Sequence, residues 1–394
     1  MREQQEIESN LWEPLPESEK VTEVQSGPSR SFWQQGFRRL LRDRLFLLAA
    51  GFLLLLGLLT LIVPRMWNYS YDEQNLNYAS IPPVLALYQL EEDTYVYVTK
   101  EFNVIRTDGS GHLLEALRPV KKDVANRRNL FRIDEKQLVV DYSVKGTRED
   151  NGNKDVLYEN QKIEPVKRVW NRTYYLGTDT LGRDLLIRVL YGARISLMVS
   201  ILSAFLNLIV GVLYGSIAGY LGGRVDNVMM RFVDLLSSIP MTLYVILIMV
   251  ALGQGIHSIV LAMGLVLWVR MARIVRGQVL HIRNRDYVAA ARGLGVPLPV
   301  MIWRHFIPNM LGPVLVALSM QIPNAIFQEA FLSFIGLGIT APKASWGTLC
   351  NDALGSLYVH PYLMLVPALT LSVTILAFHS VSRGLKDAFT PQEA

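Results

Sequence analysis

Residues 45–63 read LFLLAAGFLLLLGLLTLIV, and the run contains no charged side chain. At 1.5 Å per residue, a helix of about twenty residues matches the hydrocarbon thickness of a bilayer. The run lies too far from residue 1 for a cleaved signal peptide, and no small-residue cleavage site follows it. We therefore predict a first transmembrane helix over residues 45–64, closed by Pro64.

The composition of the whole chain agrees with a membrane protein. It is 51% hydrophobic and 19% charged, whereas a soluble domain carries about a quarter charged residues. The net charge of +5 comes from basic residues at the ends of apolar runs, which is typical of membrane proteins rather than of nucleic-acid-binding ones. The single cysteine, Cys350, excludes an internal disulfide and a cysteine-based zinc site.

Four further stretches predict five more helices, because they are apolar and almost free of charge. The longest of them is divided by the turn signal at residues 253–255. The predicted positions are helix 2 within Ile195–Gly223, helices 3 and 4 within Leu235–Val269, helix 5 within His305–Gln328 and helix 6 within Ala353–Ser382. The predicted fold class is an all-α polytopic membrane protein with six transmembrane helices.

Basic residues predict the orientation, since cytosolic loops are enriched in Lys and Arg. The short outer connections, near Gly253 and from Glu329 to Pro361, carry one such residue, Lys343, so we expect both chain ends and the tail at residues 1–44 in the cytosol. The predicted cytosolic side carries Arg30, Arg38, Arg39, Arg42, Arg44, Arg224, Arg231, Arg270, Arg273, Arg276, Arg283, Arg285, Arg292, Arg304, Arg383 and Lys386.

A polar insert occupies residues 65–175, between predicted helices 1 and 2. Alternation of apolar and polar residues indicates short strands at Thr94–Thr99, Asn103–Arg106 and Gln137–Tyr142. Residues Gly146–Lys154 read as a loop. We expect a small β-rich domain on the outer side, because long loops are translocated largely regardless of their charge.

Residues 286–309 read DYVAAARGLGVPLPVMIWRHFIPN and predict a short helix held out from the membrane. Asp286 favours a helix start, the alanines at 289–291 present little side-chain bulk, and Gly295 permits a sharp turn. Prolines then stop the first helix, and a second one is expected over Val300–Phe306. The residues assigned to docking on a partner are Asp286, Tyr287, Ala289, Ala290, Ala291, Gly293, Gly295 and Pro308.

Residues 176–197 read LGTDTLGRDLLIRVLYGARISL and predict an amphipathic helix in the outer interface, just before helix 2. Asp179 or Thr180 is the expected N-cap. The residues alone leave open whether this helix is a structural collar or a gating element. The residues singled out are Gly177, Asp179, Gly182, Arg183, Asp184, Tyr191, Gly192 and Arg194.

The segment around residues 289–308 resembles the EAA loop of binding-protein-dependent ABC importer permeases. That pattern is Glu-Ala-Ala, three residues, Gly, nine residues, then Ile-x-Leu-Pro. Here Ala289 stands in place of the acidic residue and His305 in place of the isoleucine, with the spacing preserved. The first departure would remove one polar contact to a partner and leaves the shape unchanged.

Three further stretches are similar to the C-type dipeptide and oligopeptide permeases of this family. They are residues 176–197, residues 329–338 followed by Ser345-Trp346-Gly347, and residues 383–388 before Pro391. The turn before residue 383 departs from the family pattern, since an aspartate-rich sequence is replaced by residues 379–382. The resemblance covers residues 176–394 and, more loosely, helix 1, but not the insert.

The resemblance implies a type I importer fold, in which residues 176–394 form the permease core and residues 277–309 the cytosolic coupling loop. It implies a bacterial cytoplasmic (inner) membrane, a second homologous permease, two ATPase subunits and an extracytoplasmic binding protein. ATP and Mg would be used by the ATPases, and this chain would hold no cofactor. The substrate would be an oligopeptide or dipeptide, with nickel or another small solute as the alternative.

The sequence contains no catalytic motif of its own. No GxxxxGK[ST] phosphate loop occurs, and neither a metal-spaced His or carboxylate cluster nor a nucleophile with a base is present. We therefore expect a transport subunit rather than an enzyme. Deleting residues 289–295, or placing a bulky side chain at Gly295, should abolish uptake and leave membrane insertion intact.

Polar residues inside apolar spans are the candidates for lining a translocation path, because they are costly in lipid and usually face the bundle interior. Gln321, Asn324 and Gln328 share one helical face, and Asn207 is the other candidate. Hydrogen bonding between helices is the competing explanation for each of them. Asp234, at the cytosolic boundary, is expected to pair with Arg231.

Two other functional classes fit the sequence less well. A secondary transporter would favour carboxylates inside the membrane and inverted repeats, and neither pattern is evident. A membrane sensor or assembly protein would not account for the segment at residues 286–309. The role of the insert stays open: it could contact the binding protein or the second permease, or shield the outer mouth.

Overall fold

The computed structural model describes residues 32–133, 135–143 and 154–389. Within these ranges five helices are long and apolar enough to cross a membrane, and a bent helix pair makes a sixth span if it counts as one. The predicted fold class, a polytopic helical protein with a β-rich insert after the first span, is confirmed.

Eleven α-helices are described in these ranges, and the apolar runs of the sequence account for the longest of them. Their bounds are α1 Phe32–Leu40, α2 Arg44–Met66, α3 Leu185–Leu221, α4 Gly223–Ser238, α5 Met241–Leu252, α6 Ile256–Ile282, α7 Asp286–Gly293, α8 Leu298–Val300, α9 Ile307–Phe334, α10 Trp346–Ala353 and α11 Tyr362–Phe389.

The insert consists of two five-stranded antiparallel sheets, in the orders β10-β1-β2-β3-β4 and β5-β6-β7-β8-β9. Apolar side chains of both sheets, among them Val96 and Phe131, share one core. The strands are β1 Val84–Glu91, β2 Thr94–Val98, β3 Val104–Thr107, β4 Leu113–Leu117, β5 Lys121–Asp123, β6 Arg128–Ile133, β7 Lys136–Asp141, β8 Asp155–Tyr158, β9 Gln161–Ile163 and β10 Pro165–Trp170. The three predicted strands are confirmed, whereas nearly all of the predicted loop Gly146–Lys154 lies outside the described residues.

Helix α2 starts where the sequence changes from polar to apolar. The Asp43 carboxylate accepts hydrogen bonds from the amides of Leu45, at 2.9 Å, and Phe46, at 3.3 Å, and so caps the first turn. The helix ends at Met66, two residues beyond the predicted stop at Pro64. Pro64 therefore lies inside the last turn of α2 rather than after it.

The predicted interfacial helix before helix 2 is wrong. Helix α3 runs unbroken for 37 residues and begins at Leu185, after the N-cap Asp184, so neither Asp179 nor Thr180 is the cap. Residues 185–194, which were assigned to a separate helix, form the first turns of the membrane span itself. No helix-breaking residue separates residues 185–194 from the rest of α3. Their amphipathic pattern reflects packing against α10 and against residues at the base of the insert.

Predicted helix 3 is broken. Helices α4 and α5 meet at an angle of 83°, and Ile239 between them is extended. Pro240 explains the break, because a proline forces the preceding residue out of the helical region. The apolar run that suggested one span therefore covers the end of α4 and all of α5.

Helix α6 extends further than predicted, to Ile282. Arg270, Arg273 and Arg276, which were assigned to a loop, lie on this helix. Two of them are paired: Arg276 binds both carboxylate oxygens of Asp226, at 2.5 and 2.6 Å, and Arg273 lies 2.9 Å from Asp234. The expected pair of Asp234 with Arg231 is therefore wrong, since Asp234 turns toward α6.

The segment before α9 continues as one helix. Residues Met301–Phe306 form a π-helical turn between α8 and α9, so the predicted end at Pro308 is wrong. Pro308 follows directly on the π-helical turn, inside this continuous helix, where it removes one backbone hydrogen-bond donor. Helix α9 ends at Phe334, six residues beyond Gln328, and predicted helix 6 corresponds to α11, which starts at Tyr362.

Candidate functional site

Helix α7 lies on the predicted cytosolic end of the bundle with one face buried. Val288 and Ala291 are buried, whereas Ala289 and Ala290 are exposed. The helix begins at Asp286 and ends at Gly293, as the sequence indicated. One of the three alanines therefore anchors the helix, and the other two present a surface with little side-chain bulk.

The buried face of α7 belongs to a core shared with three long helices. Val288 and Ala291 join one apolar cluster with Val212 of α3, Val279 of α6 and Met310 of α9. Close-packed side chains transmit displacement rather than absorb it. A force applied to α7 therefore acts on α3, α6 and α9 together.

Two arginines fasten the segment around α7 to the end of α3. Arg283 donates from Nη1 to the carbonyl of Gly219 at 3.1 Å, and a cation near a helix C-terminus is stabilised by the helix dipole. The guanidinium of Arg292 lies 5.0 Å from the ring centre of Tyr220, within the range of a cation–π contact. Both contacts hold α7 against the bundle.

The turn after α7 depends on Gly295. Its φ is +73°, a left-handed value that other residues adopt at a cost, while nothing lies within 4 Å of the position of a Cβ there. Gly293 is equally open but has no such φ. Gly295 is thus needed for its backbone conformation and not for close approach.

Tyr287 is partly exposed, with its ring centre 6.4 Å from that of His305.

Two exposed apolar side chains beside α7 were missed by the sequence reading. Leu294 is 85% exposed and Trp303 is 67% exposed. Leu294 directly follows the glycine that ends α7, and Trp303 lies on the π-helical turn. Leu294 lies between Gly293 and Gly295. An apolar residue in a turn bounded by glycines is the sequence signal that could have indicated an exposed contact residue here.

Helices α3 and α6 are joined by a stripe of glycines at every fourth position. A Cβ on Gly211 would lie 2.6 Å from Met271 Cβ, one on Gly215 2.4 Å from the Ala272 carbonyl oxygen, and one on Gly219 2.9 Å from Val279 Cβ. Small residues at this spacing allow close helix packing in membranes. The stripe makes α3 and α6 one rigid unit that leads to α7.

The loop at residues 177–184 is a compact structure of hydrogen bonds rather than a helix. Asp179 accepts from the amides of Leu181 and Arg183, both at 2.9 Å, and from Arg183 Nε at 2.6 Å. Asp184 caps α3 through the amide of Leu186 at 2.8 Å and accepts from Trp67 Nε1 at 3.0 Å. Burial raises the pKa of Asp184, although these hydrogen bonds act in the opposite direction and lower it.

The glycines of this loop pack against the base of the insert. A Cβ on Gly182 would lie 1.8 Å from the carbonyl oxygen of Asn75, and both Gly182 and Gly177 have positive φ. Gly192 faces residue 345, Tyr191 stacks on Tyr71 at 3.8 Å, and Arg194 is exposed. The signature residues thus divide between the loop and the first turns of α3.

A fully buried carboxylate, which the sequence reading did not single out, links α3 to α9. Glu329 accepts hydrogen bonds from Ser196 Oγ and Ser333 Oγ, each at 2.7 Å. Ser196 in turn accepts from the amide of Trp346 at 3.3 Å, at the start of α10. The bonds satisfy the carboxyl group and hold three elements together.

The four candidate path residues do not form one surface. Gln321 is buried and its Nε2 lies 3.5 Å from the Leu267 carbonyl oxygen, whereas Asn324 is exposed and donates to Met320 at 2.9 Å. Gln328 is half-buried. Asn207 is fully buried, and its amide has no hydrogen-bond partner in the described ranges. Their role in a path stays a prediction.

The insert is fastened to the segment before α11. His360 Nε2 lies 3.0 Å from Glu101 Oε1, and Lys100 donates to the Val359 carbonyl at 2.5 Å. Burial opposes ionisation of Glu101, but the hydrogen bond and charge of His360 outweigh it, so the pKa of Glu101 is lowered. The Tyr362 hydroxyl donates to the carbonyl of Ile81 at 3.0 Å. These contacts set the insert on the predicted outer end of the helices.

Within the described ranges no three His, Cys, Asp or Glu side chains come together as metal ligands would. Residues 211–391 match the family of binding-protein-dependent transport system inner membrane components. Residues 31–83 match the N-terminal transmembrane domain of oligopeptide transport permease C. The strands of the insert, from Val84 to Trp170, lie outside both matched ranges.

Curated relatives agree with these matches. The oligopeptide transport permease OppC of Bacillus subtilis is 45% identical over 222 residues, which are 56% of this chain and 73% of the relative. The dipeptide permease DppC of the same organism is 46% identical over 220 residues, 56% of this chain and 69% of the relative. OppC of Escherichia coli K12 is 47% identical over 220 residues, with shares of 56% and 73%.

A solved methionine ABC transporter in an inward-facing form overlays with a TM-score of 0.41 at 15% identity, covering 51% of this chain and 97% of that chain. At this level the overlay adds nothing to the assignment. The assignment rests on the curated relatives, whose identity extends over more than two thirds of their own length. The chain belongs to the binding-protein-dependent transport permeases, in the group that contains the C-type oligopeptide and dipeptide permeases.

Proposed function

We propose that this chain is one of two permease subunits of an ATP-driven importer for oligopeptides or dipeptides. A second homologous permease completes the path, two ATPases dock beneath the pair, one of them on α7, and an extracytoplasmic binding protein delivers the substrate to the outer face. ATP and Mg are used by the ATPases. The chain lies in a bacterial cytoplasmic (inner) membrane with α7 and both chain ends in the cytosol.

The single observation that carries this proposal is the position of α7. The helix presents Ala289 and Ala290 outward and buries Val288 and Ala291 in a core shared with three long helices. An ordinary connecting loop between α6 and α9 would not need this second, buried face. The peptide substrate is inferred from the named activities of the relatives.

The mechanism follows from rigid packing. ATP binding draws the two ATPases together and moves α7, and the apolar cluster passes this movement to α3, α6 and α9. Because the glycine stripe locks α3 to α6, the pair turns as one body. Alternating access then arises by rigid-body rotation between an outward-open and an inward-open arrangement.

Replacing Leu294 with serine tests the docking surface. The side chain is 85% exposed, so its loss should leave folding unchanged while removing an apolar contact worth about 1–3 kcal/mol at the ATPase interface. We expect ATP-driven peptide uptake by the reconstituted transporter to fall about tenfold or more. The measurement is uptake into proteoliposomes that contain the subunits co-purified with the tagged chain.

The matched control is Leu235→Ser, an exposed leucine of α4 far along the chain from α7. It should leave ATP-driven peptide uptake into the proteoliposomes unchanged. Deletion of residues 289–295 should abolish uptake and keep the chain in the membrane. Normal ATP-driven uptake by the deletion variant would disprove the docking role of α7.

Orientation is testable with introduced cysteines, since Cys350 is the single natural one. In a Cys350→Ser background, a cysteine at Ala290 should react with a membrane-impermeant maleimide only after the cells are opened. A cysteine at Val124, which is 79% exposed on the insert, should react in intact spheroplasts. The reverse pattern would place α7 outside and end the proposal.

A further inference from the structure

A cavity of about 480 Å³ opens at the outer end of the helices, within the range of roughly 300–1,000 Å³ that small-ligand pockets occupy. It lies between the loop before α3, the segment after α9 and helix α10. Its charged lining residues are Asp179, Arg183, Arg188, Lys343 and Asp352. Three basic groups thus face two acidic ones.

Arg188 is the unusual member of this set. Its side chain is 2% exposed, and neither Nε nor Nη1 completes a hydrogen bond within the described ranges. Its carboxylate neighbours bind it weakly: Asp179 Oδ2 lies 3.3 Å from Nε without completing a hydrogen bond, and Asp352 Oδ2 accepts a long one from Nη2 at 3.4 Å. Buried N–H groups of a charged side chain are costly when they lack an acceptor.

The two acidic neighbours cannot fully satisfy this guanidinium. Asp179 already accepts three hydrogen bonds, two from backbone amides and one from Arg183 Nε at 2.6 Å. Asp352 is 55% exposed and holds Arg188 only at the edge of the hydrogen-bonding range. Arg188 therefore keeps unused donor capacity beside the cavity, although both unpaired nitrogens are enclosed by protein atoms. The neighbouring Asp352 carboxylate is free to turn toward solvent.

The chemistry of the lining identifies the ligand group. A guanidinium binds carboxylates through two parallel N–H donors, and this geometry is specific for a planar oxyanion. Lys343 adds a second positive charge at the exposed side. Leu185, Ile339 and Leu349 line the same cavity, so the space beyond the guanidinium suits an apolar side chain.

We infer that this cavity binds the carboxylate of a peptide. Arg188 recognises the peptide carboxylate, which takes the place of the Asp352 carboxylate beside the guanidinium. The inference rests on the proposed function for its choice of substrate. The C-terminal carboxylate is the acidic group that all linear peptides share, so a site for it would not restrict the peptide sequence. An acidic side chain of a docked partner protein has the same chemistry and is excluded by the test below.

The test uses the full-length permease alone in lipid nanodiscs, without ATPases or binding protein. Saturation-transfer NMR is recorded with trialanine, with N-acetyl trialanine and with trialanine amide. We expect transfer to the first two probes and about tenfold weaker binding of the amide, which lacks the carboxylate. Equal binding of the acid and the amide, or no binding of trialanine, would overturn the inference.

Variants assign the effect to Arg188. We expect Arg188→Gln to lower trialanine affinity about tenfold and Asp352→Asn to raise it on the order of threefold, because a competing charge is removed. The matched control, Arg132→Gln, removes an exposed arginine of the insert and should change nothing. Asp352→Asn keeps the test decisive if Arg188→Gln does not fold, since unchanged or weaker binding contradicts the inference.

The outcome is separate from that of the proposed function. If ATP-driven uptake by the assembled transporter is lost while trialanine still binds through Arg188, the carboxylate site stands and the proposed function falls. If uptake persists and trialanine shows no transfer to the permease alone, the inference falls and the proposed function stands. Weakened capture of the binding protein by Arg188→Gln, without trialanine binding, would assign the cavity to a partner's acidic side chain and reject the inference.

Discussion

Lys154 joins the two sheets of the insert through a half-buried charge. Its Nζ donates to the carbonyls of Val98, at 2.7 Å, and Thr99, at 2.6 Å, at the end of β2. Burial lowers the pKa of Lys154 to about 8, since a low dielectric disfavours the charged form. The side chain therefore reports on the packing between the two sheets.

The free energy of unfolding of the insert should rise with pH from about 8 to 10.5. In this window the unfolded chain still holds the lysine proton while the folded chain releases it, so raising the pH favours the folded state. Urea unfolding of the full-length protein in detergent measures this. A fluorophore on a cysteine at Val124, in the Cys350→Ser background, reports the insert.

Lys154→Met should remove this rise, whereas Lys122→Met, a change at an exposed lysine of β5, should retain it. A pH dependence that survives in Lys154→Met would mean that other groups cause it. Sequence reading gave the polar character of this region but not the burial of Lys154. Burial depends on which two sheets face each other, and local alternation does not determine that.

At the scale of elements, α3 and α6 pack closely through Gly211, Gly215 and Gly219. Gly215→Leu should destabilise the fold, because even its Cβ would lie 2.4 Å from the Ala272 carbonyl oxygen. Overpacking of this kind costs about 1–3 kcal/mol or more, since backbone atoms cannot give way like a flexible side chain. The measurement is the melting temperature of the purified chain in detergent.

Gly277→Leu serves as the matched control. This glycine is an exposed residue of α6 with nothing within 4 Å of its Cβ position, so the larger side chain should leave the melting temperature unchanged or raise it. A Gly215→Leu protein as stable as the parent would indicate that α3 and α6 are not held by the glycine stripe.

The positions of the long helices were predictable and their ends were not. An apolar run locates α2, α3, α6, α9 and α11, because the bilayer imposes length and composition. The ends depend on specific partners: Asp184 caps α3, and Asp226 and Asp234 neutralise arginines that extend α6. Asp234 and Asp226 lie 39 and 50 residues from the arginines they bind, beyond the reach of local patterns.

For the candidate site, the sequence located α7 and the turn at Gly295. It did not reveal that Val288 and Ala291 face inward, since the short helix carries too few apolar residues to define a face. It also did not identify Arg188 or Glu329, because the burial of one charged residue among many depends on tertiary packing. The motif therefore predicted where the docking helix lies, but not how it connects to the bundle.

At the scale of the whole molecule, the insert is a module with adjoining ends. Val84 pairs with Trp170 in the first sheet, and the amide of Asn171 donates to the Pro83 carbonyl at 2.8 Å. A domain inserted through two neighbouring points can be removed without stretching the remaining chain. Its contacts to the helices through Lys100 and Glu101 are few and partly exposed.

We therefore expect that replacing residues 84–170 with a short glycine linker leaves the helical bundle intact. The shortened chain should insert into the membrane and expose α7 to the same protease cuts as the full chain, because the apolar clusters of the bundle contain no strand residue. The loop contacts of Tyr362 with Ile81 and Thr178 remain in this variant. They preserve the geometry of the outer end at which Arg188 lies, so trialanine binding should also persist.

The control retains the insert and removes only its fastening, through Glu101→Gln combined with Lys100→Met. In this variant hydrogen exchange should rise in residues 357–361 and stay unchanged in α7. If the shortened chain instead fails to insert, or loses the protease pattern of α7, the insert is required for folding of the bundle. The modular description of the molecule would then be wrong, and the outer sheets would have to be counted as part of the permease core.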